Sequence, residues 1–286
     1  MTGSLWRVVV DVADTVAASS IADLVGERCE TVSAFERGTG FRVEGLSRDK
    51  PNRALLEASF VLLDPSVTVT VERVPPRDWV SENQAGFPPI RTGRFFVHGS
   101  HFRGAVPAAA VPILIDAATA FGTGEHATTR GCLLAMERVA RPPRRILDIG
   151  CGTGILAIGA AKFWHRPVLA FDIDSEAVRV TRVNARRNQV GRAVRADIAR
   201  GYRHRTIARH APFDLVFANI LARPLIGMAP DLARVLAPGG VGVLSGLLAR
   251  QEAMVLAAQR MQGLYLVGRI ALEGWHTLIV AKRAQR

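Results

Sequence analysis

The chain has 286 residues, 49% of them hydrophobic, and a formal net charge of +12, which allows one large domain or two around a buried core. A membrane span is excluded because the longest apolar run, 105–115, is broken by two prolines, and a disulfide framework is excluded because only three scattered cysteines are present. With no secretory signal pattern either, we expect a cytoplasmic protein that does not associate with membranes.

Residues 1–75 have the pattern of a small, separate domain. Apolar alternation predicts strands and amphipathic runs predict helices, in the order βαββαβ. The predicted strands are 6–12, 30–36, 41–46 and 67–74, and the predicted helices are 15–25 and 52–63. This order is that of the ferredoxin-like, split-βαβ sandwich, a small α+β domain. The segment contains no catalytic cluster, so protein recognition and a stabilising role both remain open.

Residues 76–115 follow a Pro-Pro pair and are interpreted as a linker that merges into the second domain, with short strands at 94–98 and 111–115. From 116 to 286, strands alternate with helices, which predicts an α/β fold with a parallel sheet covered on both faces. The predicted strands are 144–149, 167–172, 193–196, 213–218, 240–245, 265–271 and 277–281, and the predicted helices include 154–163, 175–187, 223–236 and 250–260. Because the last two strands have no helix between them, we expect the final strand to insert antiparallel.

A loop with two glycines, Gly122 and Gly124, precedes a predicted helix that runs to about residue 139. Thr128 and Thr129 stand at the start of this helix, where hydroxyls and free N–H groups can hold a ligand. A capped helix after a flexible loop is the alternative interpretation. His126 lies in the same segment, but no second metal ligand follows at helical spacing, and we predict no metal site.

The most informative segment is 146–154, Ile-Leu-Asp-Ile-Gly-Cys-Gly-Thr-Gly. A hydrophobic strand leads into a turn with Gly150, Gly152 and Gly154, and a helix-forming run follows directly. Alternate glycines let the backbone approach a ligand closely, and the new helix directs free N–H groups towards it. The next apolar run ends at Asp172, where an acid is placed to bind the hydroxyls of a ribose. The pattern predicts a site for a nucleoside-containing cofactor.

The spacing of the glycines indicates which cofactor. Dinucleotide-binding proteins carry G-x-G-x-x-G, whereas this chain reads G-x-G-x-G and has Ile155 where the third glycine would fall. The shorter form, after a strand with an acid near its end, resembles the first motif of class I methyltransferases. Those enzymes use S-adenosyl-L-methionine.

Two further polar residues stand where predicted strands end. Asp197 follows 193–196, where methyltransferases place a group near the adenine amine, and a helix N-cap is an equally open interpretation. Asn219 follows 213–218 at the carboxyl edge of the sheet, where ligands bind. Its side-chain carbonyl can accept a hydrogen bond from an amine and orient the nitrogen lone pair towards the cofactor methyl. Asn is also a common turn residue.

Several stretches carry a more specific pattern: FGTGEHATT at 121–129, LDIGCGTGILAIGAAK at 147–162, DID at 172–174, NARRN at 184–188, ANILARPL at 218–225, APGGVGVLSG at 237–246 and EGW at 273–275. Together they closely resemble the PrmA family, bacterial methyltransferases of the large-subunit ribosomal protein numbered eleven. DWVSENQAGFPPIRTG at 78–93 is similar to the linker of that family, so the resemblance covers at least 78–286. The N-terminal unit matches mainly in position and element order.

The resemblance implies a seven-stranded Rossmann-like class I methyltransferase domain at 116–286 and a ferredoxin-like domain at 1–75 that grips the ribosomal protein. The acceptors would be the N-terminal amine and the lysine side chains of that protein, and we expect the enzyme to be a monomer. The predicted cofactor-binding residues are Thr129, Gly150, Gly152, Asp172, Asp197 and Asn219, and Asn219 is also the predicted catalytic residue.

Positive charge is concentrated in one part of the chain. Residues 101–286 hold 26 basic and 12 acidic side chains, and ten arginines lie between 179 and 209 against two acids in 175–210. Two interpretations remain open: a transient contact with ribosomal RNA, or a solvated face in a chain with 34 arginines and three lysines.

Three other functions compete with protein methylation. An RNA methyltransferase is favoured by the arginines, but enzymes that methylate base amines typically carry Asn-Pro-Pro-aromatic where this chain has Asn219-Ile220-Leu221. A small-molecule methyltransferase would not need the N-terminal domain. A non-enzymatic ribosome-binding module is disfavoured by the intact glycines and Asp172.

Overall fold

The computed structural model describes residues 5–12, 15–29, 31–37, 40–60, 67–74, 88–116 and 126–284. The chain divides into two compact units, Met1–Trp79 and Val80–Arg286. Most of the segment interpreted as a linker therefore falls in the second unit. Within the described residues, no helix is both long and apolar enough to cross a membrane.

The first unit has the element order βαββαβ that its sequence predicts. Its elements are β1 (Leu5–Val12), α1 (Thr15–Gly26), β2 (Thr31–Arg37), β3 (Gly40–Ser47), α2 (Arg53–Phe60) and β4 (Val69–Val74). The described strands form an antiparallel sheet in the order β2-β3-β1-β4. Val8 and Val10 on β1 pack with Ile21 of α1 and Leu56 of α2 in one core. The alternation of β1 thus directs one face of the sheet at the helices.

The second unit begins with β5 (Ile90–Thr92), β6 (Phe95–His98), β7 (Val111–Leu114) and α3 (Ala127–Glu137). The three strands form a small sheet of their own. Phe95, Val97 and Ile113 are buried in the core that α3 shares. Burial of these apolar side chains holds the segment to the second unit.

Among the described residues, β8 to β14 form a seven-stranded sheet in the order β10-β9-β8-β11-β12-β14-β13. The elements are β8 (Ile146–Ile149), α4 (Ile155–Trp164), β9 (Val168–Asp172), α5 (Ser175–Arg187), β10 (Val194–Ile198), α6 (Arg205–His210), β11 (Phe213–Asn219), α7 (Ala222–Gly227), α8 (Ala229–Val235), β12 (Leu236–Leu248), a 3-10 turn (Ala249–Gln251), α9 (Glu252–Met261), β13 (Leu264–Leu272) and β14 (Trp275–Lys282). Strands β8 to β12 pair in parallel, and β14 pairs antiparallel with both β12 and β13. The prediction that the final strand inserts antiparallel is confirmed.

Apolar layers cover both faces of this sheet. All four residues of β8 are buried, as expected of a parallel strand between two helical layers. One core contains Leu133 of α3 and Ile158 of α4, and the other contains Leu225 of α7 and Val255 of α9. The chain order reverses between β8 and β11, because β9 and β10 lie on one side of β8 and β11 and β12 on the other. In such sheets, ligands bind at the carboxyl ends of the strands that flank the reversal.

Several element boundaries differ from the prediction, and three of the differences divide an element, lengthen it or move a predicted site residue. The helix predicted at 223–236 is two helices, α7 and α8, because Pro230 in the first turn of α8 cannot donate the N–H that a continuous helix needs. The strand predicted at 240–245 is longer, since β12 spans Leu236–Leu248. The strand predicted at 193–196 continues to residue 198, which places Asp197 inside β10 and not after it.

Candidate active site

Three glycines with positive φ shape the turn between β8 and α4. Their φ angles are +73° at Gly150, +54° at Gly152 and +82° at Gly154, values that residues with a Cβ rarely adopt. A Cβ on Gly150 would lie 2.3 Å from the Ile220 side chain, and one on Gly154 would lie 2.8 Å from Thr181. The turn therefore needs glycine both for its conformation and for space, and its backbone can approach a ligand closely.

Backbone hydrogen bonds hold this turn against β9. The N–H groups of Gly150 and Cys151 both donate to the Phe171 carbonyl, at 2.8 and 3.1 Å. Gly154 is the N-cap of α4 and has no side chain to cap the helix. The first N–H groups of α4 and the positive end of its dipole consequently face the turn, which favours a negatively charged group there.

Asp172 ends β9 and faces the glycine turn, as its sequence position predicts. Its Oδ2 accepts a hydrogen bond from the Gly152 N–H at 2.9 Å, and its Oδ1 accepts one from the Asp174 N–H at 3.1 Å. The residue is only partly buried, so the remaining lone pairs of the carboxylate are open to hydroxyl groups of a ligand.

Asp197 lies on β10, the strand next to β9, and is exposed. Its carboxylate lies 3.7 Å from Arg182 and 3.7 Å from His204, and its Oδ1 accepts a hydrogen bond from the Ile198 N–H at 2.9 Å. The N-cap of α6, the next helix, is His204, so the interpretation of Asp197 as a helix cap is wrong. A contact between Asp197 and adenine stays a prediction.

Two large apolar side chains lie on the surface at this edge of the sheet. Ile173 and Ile198 follow Asp172 and Asp197 directly and are 73% and 50% exposed. The sequence pattern does not mark them, since a single apolar residue at a strand end carries no signal. Exposed apolar side chains next to two carboxylates suit a ligand that combines a flat ring with hydroxyl groups.

On the other side of β8, Asn219 at the end of β11 meets Thr129 of α3. The Asn219 Nδ2 donates to Thr129 Oγ1 at 3.5 Å, although the two residues are 90 positions apart. This contact uses an amide hydrogen and leaves the Asn219 carbonyl oxygen to accept a hydrogen bond from an incoming group. The fold thus brings together two of the predicted site residues. The glycine-containing loop predicted at 121–125 lies outside the described residues.

The residue after Asn219 is anchored on both sides. The Ile220 N–H donates to the Ser245 carbonyl at 3.1 Å, and the Ile220 side chain fills the space beside Gly150. Gly246 has a φ of +86°, and a Cβ on it would lie 2.3 Å from the Ile220 carbonyl oxygen. These contacts connect the end of β11 to the glycine turn and to β12, so the position of Asn219 is fixed relative to both.

Asp148 on β8 lies next to the glycine turn and is absent from the predicted set of site residues. It is fully buried, its Oδ2 accepts a hydrogen bond from the Ala157 N–H at 3.2 Å, and its Oδ1 has no partner within the described structure. Burial raises the pKa of Asp148 to about 7, the Ala157 N–H opposes this rise, and the negative charge of Asp172 adds to it. The sequence shows an acid shortly before the glycines, which is the only signal for Asp148. It does not show that both faces of β8 are buried.

The turn between β13 and β14 lies against the start of α3. The Trp275 ring contacts the His126 ring edge-on at a centroid distance of 4.8 Å, and Arg130 donates to Glu273 at 2.7 Å. The His126 Nδ1 accepts a hydrogen bond from the Thr128 N–H at 3.3 Å, so this side chain caps α3. Across the described ranges, no three His, Cys, Asp or Glu side chains are grouped to hold a metal ion.

Two observations fit S-adenosyl-L-methionine to these residues. The three glycines of the turn have positive φ, so its backbone can approach the cofactor closely, and the N–H groups at the start of α4 suit the cofactor's carboxylate. Below it, the unpartnered oxygen of Asp148 belongs to a carboxyl that is half ionised near neutral pH, which suits a cationic ligand.

Comparisons with known proteins agree on one family. The sequence profile described as "Ribosomal protein L11 methyltransferase (PrmA)" matches residues 29–283. A ribosomal protein L11 methyltransferase from Rhodopseudomonas palustris is 44% identical over 282 residues, 95% of either chain, and one from Bradyrhizobium diazoefficiens is 43% identical over 286 residues, 96% of this chain and 97% of the relative. The crystal structure of a ribosomal protein L11 methylase from Lactobacillus delbrueckii subsp. bulgaricus matches with a TM-score of 0.62 and 26% identity, over 69% of this chain and 98% of that one. The chain therefore belongs to the ribosomal protein L11 methyltransferase (PrmA) family.

Proposed function

We propose that this protein transfers methyl groups from S-adenosyl-L-methionine to amines of ribosomal protein L11, both lysine side chains and the N-terminal amine. The family match over residues 29–283 and the names of the relatives support the reaction class and the substrate. The observation that carries the chemistry is the Asn219 amide, whose nitrogen is engaged by Thr129 while its carbonyl oxygen remains available beside the glycine turn.

In this proposal the bound cofactor supplies an electrophilic methyl group on a sulfonium. The glycine turn and the first N–H groups of α4 hold the carboxylate, and Asp172 binds the ribose hydroxyls. Asp197 would lie near the adenine amine, and Ile173 and Ile198 would provide apolar surface for the adenine ring. Asp148 contributes negative charge beneath the cationic groups.

The acceptor amine must lose its proton before transfer, because an ammonium has no lone pair. A lysine ordinarily titrates near about 10.4, and a desolvated cleft that also holds a sulfonium lowers the pKa of the amine. Asn219 then accepts one N–H and directs the lone pair at the methyl group. This is one part of the proximity and orientation that an enzyme supplies, which together are worth up to roughly 7–11 kcal/mol. We expect no general base, so the pH–rate profile should follow the substrate amine and not an enzyme carboxylate.

The N-terminal unit is the proposed recognition domain, with a ferredoxin-like fold by its element order. On the sheet face turned away from its helices, Arg7 of β1 pairs with Glu72 of β4 and lies 3.8 Å from Glu44 of β3. Charged side chains on such a face can steer a partner of complementary charge and fix its orientation. We propose that this face binds the ribosomal protein.

The proposed setting is a monomer in the cytoplasm. Cys29, Cys132 and Cys151 are free thiols, which suits a reducing compartment. Burial raises the pKa of the Cys132 and Cys151 thiols, so neither provides a reactive thiolate at neutral pH.

One labelling experiment tests the proposal. The protein is incubated with methyl-labelled cofactor and a mixture of large-subunit ribosomal proteins, and mass spectrometry identifies the labelled product. We expect label on amines of L11, and much slower labelling with Asn219→Ala. Label that disappears after nuclease treatment would identify RNA as the acceptor, and cofactor binding without any transfer would identify a non-enzymatic module.

A further inference from the structure

Arginines surround β10, the strand at one end of the main sheet. Seven exposed arginines lie at the end of α5, on β10 and on the segment through α6: Arg186, Arg192, Arg195, Arg200, Arg203, Arg205 and Arg209. These seven residues are called the arginine edge. Among the described strands, β10 pairs with β9 alone, so it is an edge strand of the sheet.

The arginine edge lacks neutralising acids. Within the described structure, none of its seven side chains forms an ion pair or a hydrogen bond. The two acids in 175–210 are already engaged, Glu176 by Arg179 at 2.6 Å and Asp197 by Arg182 at 3.7 Å. The surface therefore presents uncompensated positive charge.

Arginine-rich composition alone does not account for this surface. Some arginines elsewhere face acids, as Arg42 faces Asp11 at 2.7 Å and Arg130 faces Glu273 at 2.7 Å, and others are exposed without an ion pair in the described structure, as Arg250 and Arg260 are. The presence of 34 arginines and three lysines explains why the cations are arginines. It does not explain why ten of the arginines fall within 179–209, where 175–210 holds only two acids.

The arginine edge extends over the full height of the sheet. The 13 residues of α5 span about 20 Å, and the five residues of β10 span about 16 Å in the opposite direction. Arg186 and Arg192 lie near the amino end of β10, Arg195 lies within it, and Arg200 lies beyond its carboxyl end. An extended row of cations matches a polyanion better than a single phosphate.

We propose that the arginine edge binds the phosphate backbone of double-stranded RNA. Backbone binding needs exposed cations and no apolar contact, whereas membrane-surface helices typically also insert apolar side chains and protein interfaces typically have a more apolar core. Within 175–210 of the described chain, Ile198 is the only exposed large hydrophobic side chain, and it lies at the cofactor end. Tyr202, the only Phe, Tyr or Trp in that stretch, is buried and offers no stacking surface to unpaired bases.

The test is fluorescence anisotropy of a labelled RNA duplex of about 20 base pairs over a series of salt concentrations, with neither protein substrate nor cofactor present. For the wild type we expect a slope of log K against log salt that approaches about −6, because each phosphate contact contributes about −0.9. The triple variant Arg186→Ser, Arg192→Ser, Arg195→Ser should lower the magnitude of the slope by about 3. The matched control, Arg250→Ser, Arg260→Ser, Arg283→Ser, removes the same charge from exposed arginines off the arginine edge and should leave the slope unchanged.

Several results would overturn the proposal. The first is equal slopes for the two triple variants, and the second is no salt-dependent binding by the wild type. The third is binding of single-stranded RNA of the same length, of polyglutamate or of phosphatidylglycerol vesicles that is as tight as binding of the duplex, or tighter. Thermal unfolding checks that both triple variants are folded. If the first is not, Arg195→Ser alone replaces it and should lower the slope by about 1. Because only RNA binding is measured, failure here leaves the proposed methyl transfer untouched.

Discussion

The two sides of the site, on either side of β8, are built in different ways. On the β9 side, the glycine turn and Asp172 are held by backbone conformation and backbone hydrogen bonds. On the β11 side, Asn219 and Thr129 meet through their side chains. An added side-chain atom should therefore disrupt the β9 side. On the β11 side, a side chain can lose a functional group without a change in the backbone. Substitutions should separate cofactor binding from methyl transfer.

The largest effect is expected from Gly150→Ala on the β9 side. The added Cβ would lie 2.3 Å from the Ile220 side chain at a φ of +73°, so the turn must shift. We expect cofactor affinity, measured by calorimetry, to fall on the order of 100-fold. Gly239→Ala is the control, because Gly239 has a φ of +75° but nothing within 4 Å. Unchanged affinity in both variants would contradict the account of the turn.

A smaller loss of affinity is expected from Asp172→Ala. Hydrogen bonds to charged groups contribute about 1.5–3 kcal/mol, so the cofactor should bind roughly 10–100-fold more weakly, with kcat at saturating cofactor little changed. Asp174→Ala is the matched control: Asp174 accepts from the Glu176 N–H at 2.9 Å as the N-cap of α5. It should lower stability by about 1 kcal/mol without lowering affinity. Equal losses of affinity would show that Asp172 has no direct contact with the cofactor.

The next expected effect concerns stability below the glycine turn. Because the pKa of Asp148 is raised to about 7, above an ordinary value near about 3.9, the folded protein binds this proton more tightly than the unfolded chain does. The contribution of Asp148 to the free energy of unfolding is therefore fully present below pH about 4 and falls by about 1 kcal/mol per pH unit up to pH about 7. Urea unfolding across this range should show a smaller slope with pH for Asp148→Asn than for the wild type. Identical slopes would mean that Asp148 does not titrate there.

The smallest effect is expected on the β11 side, from Thr129→Val. This change removes the acceptor of the 3.5 Å hydrogen bond from Asn219 and conserves the side-chain volume. Since a neutral hydrogen bond contributes about 0.5–1.5 kcal/mol, kcat should fall about 2–10-fold. Thr129→Ser keeps the hydroxyl and should restore kcat, and a serine variant as slow as the valine variant would exclude this role.

The features predicted from the sequence are those encoded locally. The glycine turn and Asp172 depend on a strand, a turn and a spacing that can be read along the chain, and the structure brings Gly152 and Asp172 into contact. The antiparallel final strand follows from the missing helix before it. The order of elements in the first unit follows from simple alternation.

The features that escaped prediction depend on tertiary contacts. The raised pKa of Asp148 requires apolar layers on both faces of β8, and the pairing of Trp275 with His126 joins segments from opposite ends of the second unit. The predicted position of Asp197 after the strand is wrong because the assigned ends of secondary-structure elements vary by a residue or two. Periodicity also continues across Pro230, so one helix was expected where there are two.

The central claim is that Asn219 positions the acceptor amine and contributes little to holding the cofactor. The direct measurement compares Asn219→Ala with the wild type in two assays, cofactor affinity by calorimetry and kcat for methyl transfer to L11. The account predicts cofactor affinity within about threefold of the wild type and a kcat lower on the order of 100-fold, as for loss of reactant positioning. A kcat equal to that of the wild type, or a loss of cofactor affinity that explains the whole loss of activity, would contradict it.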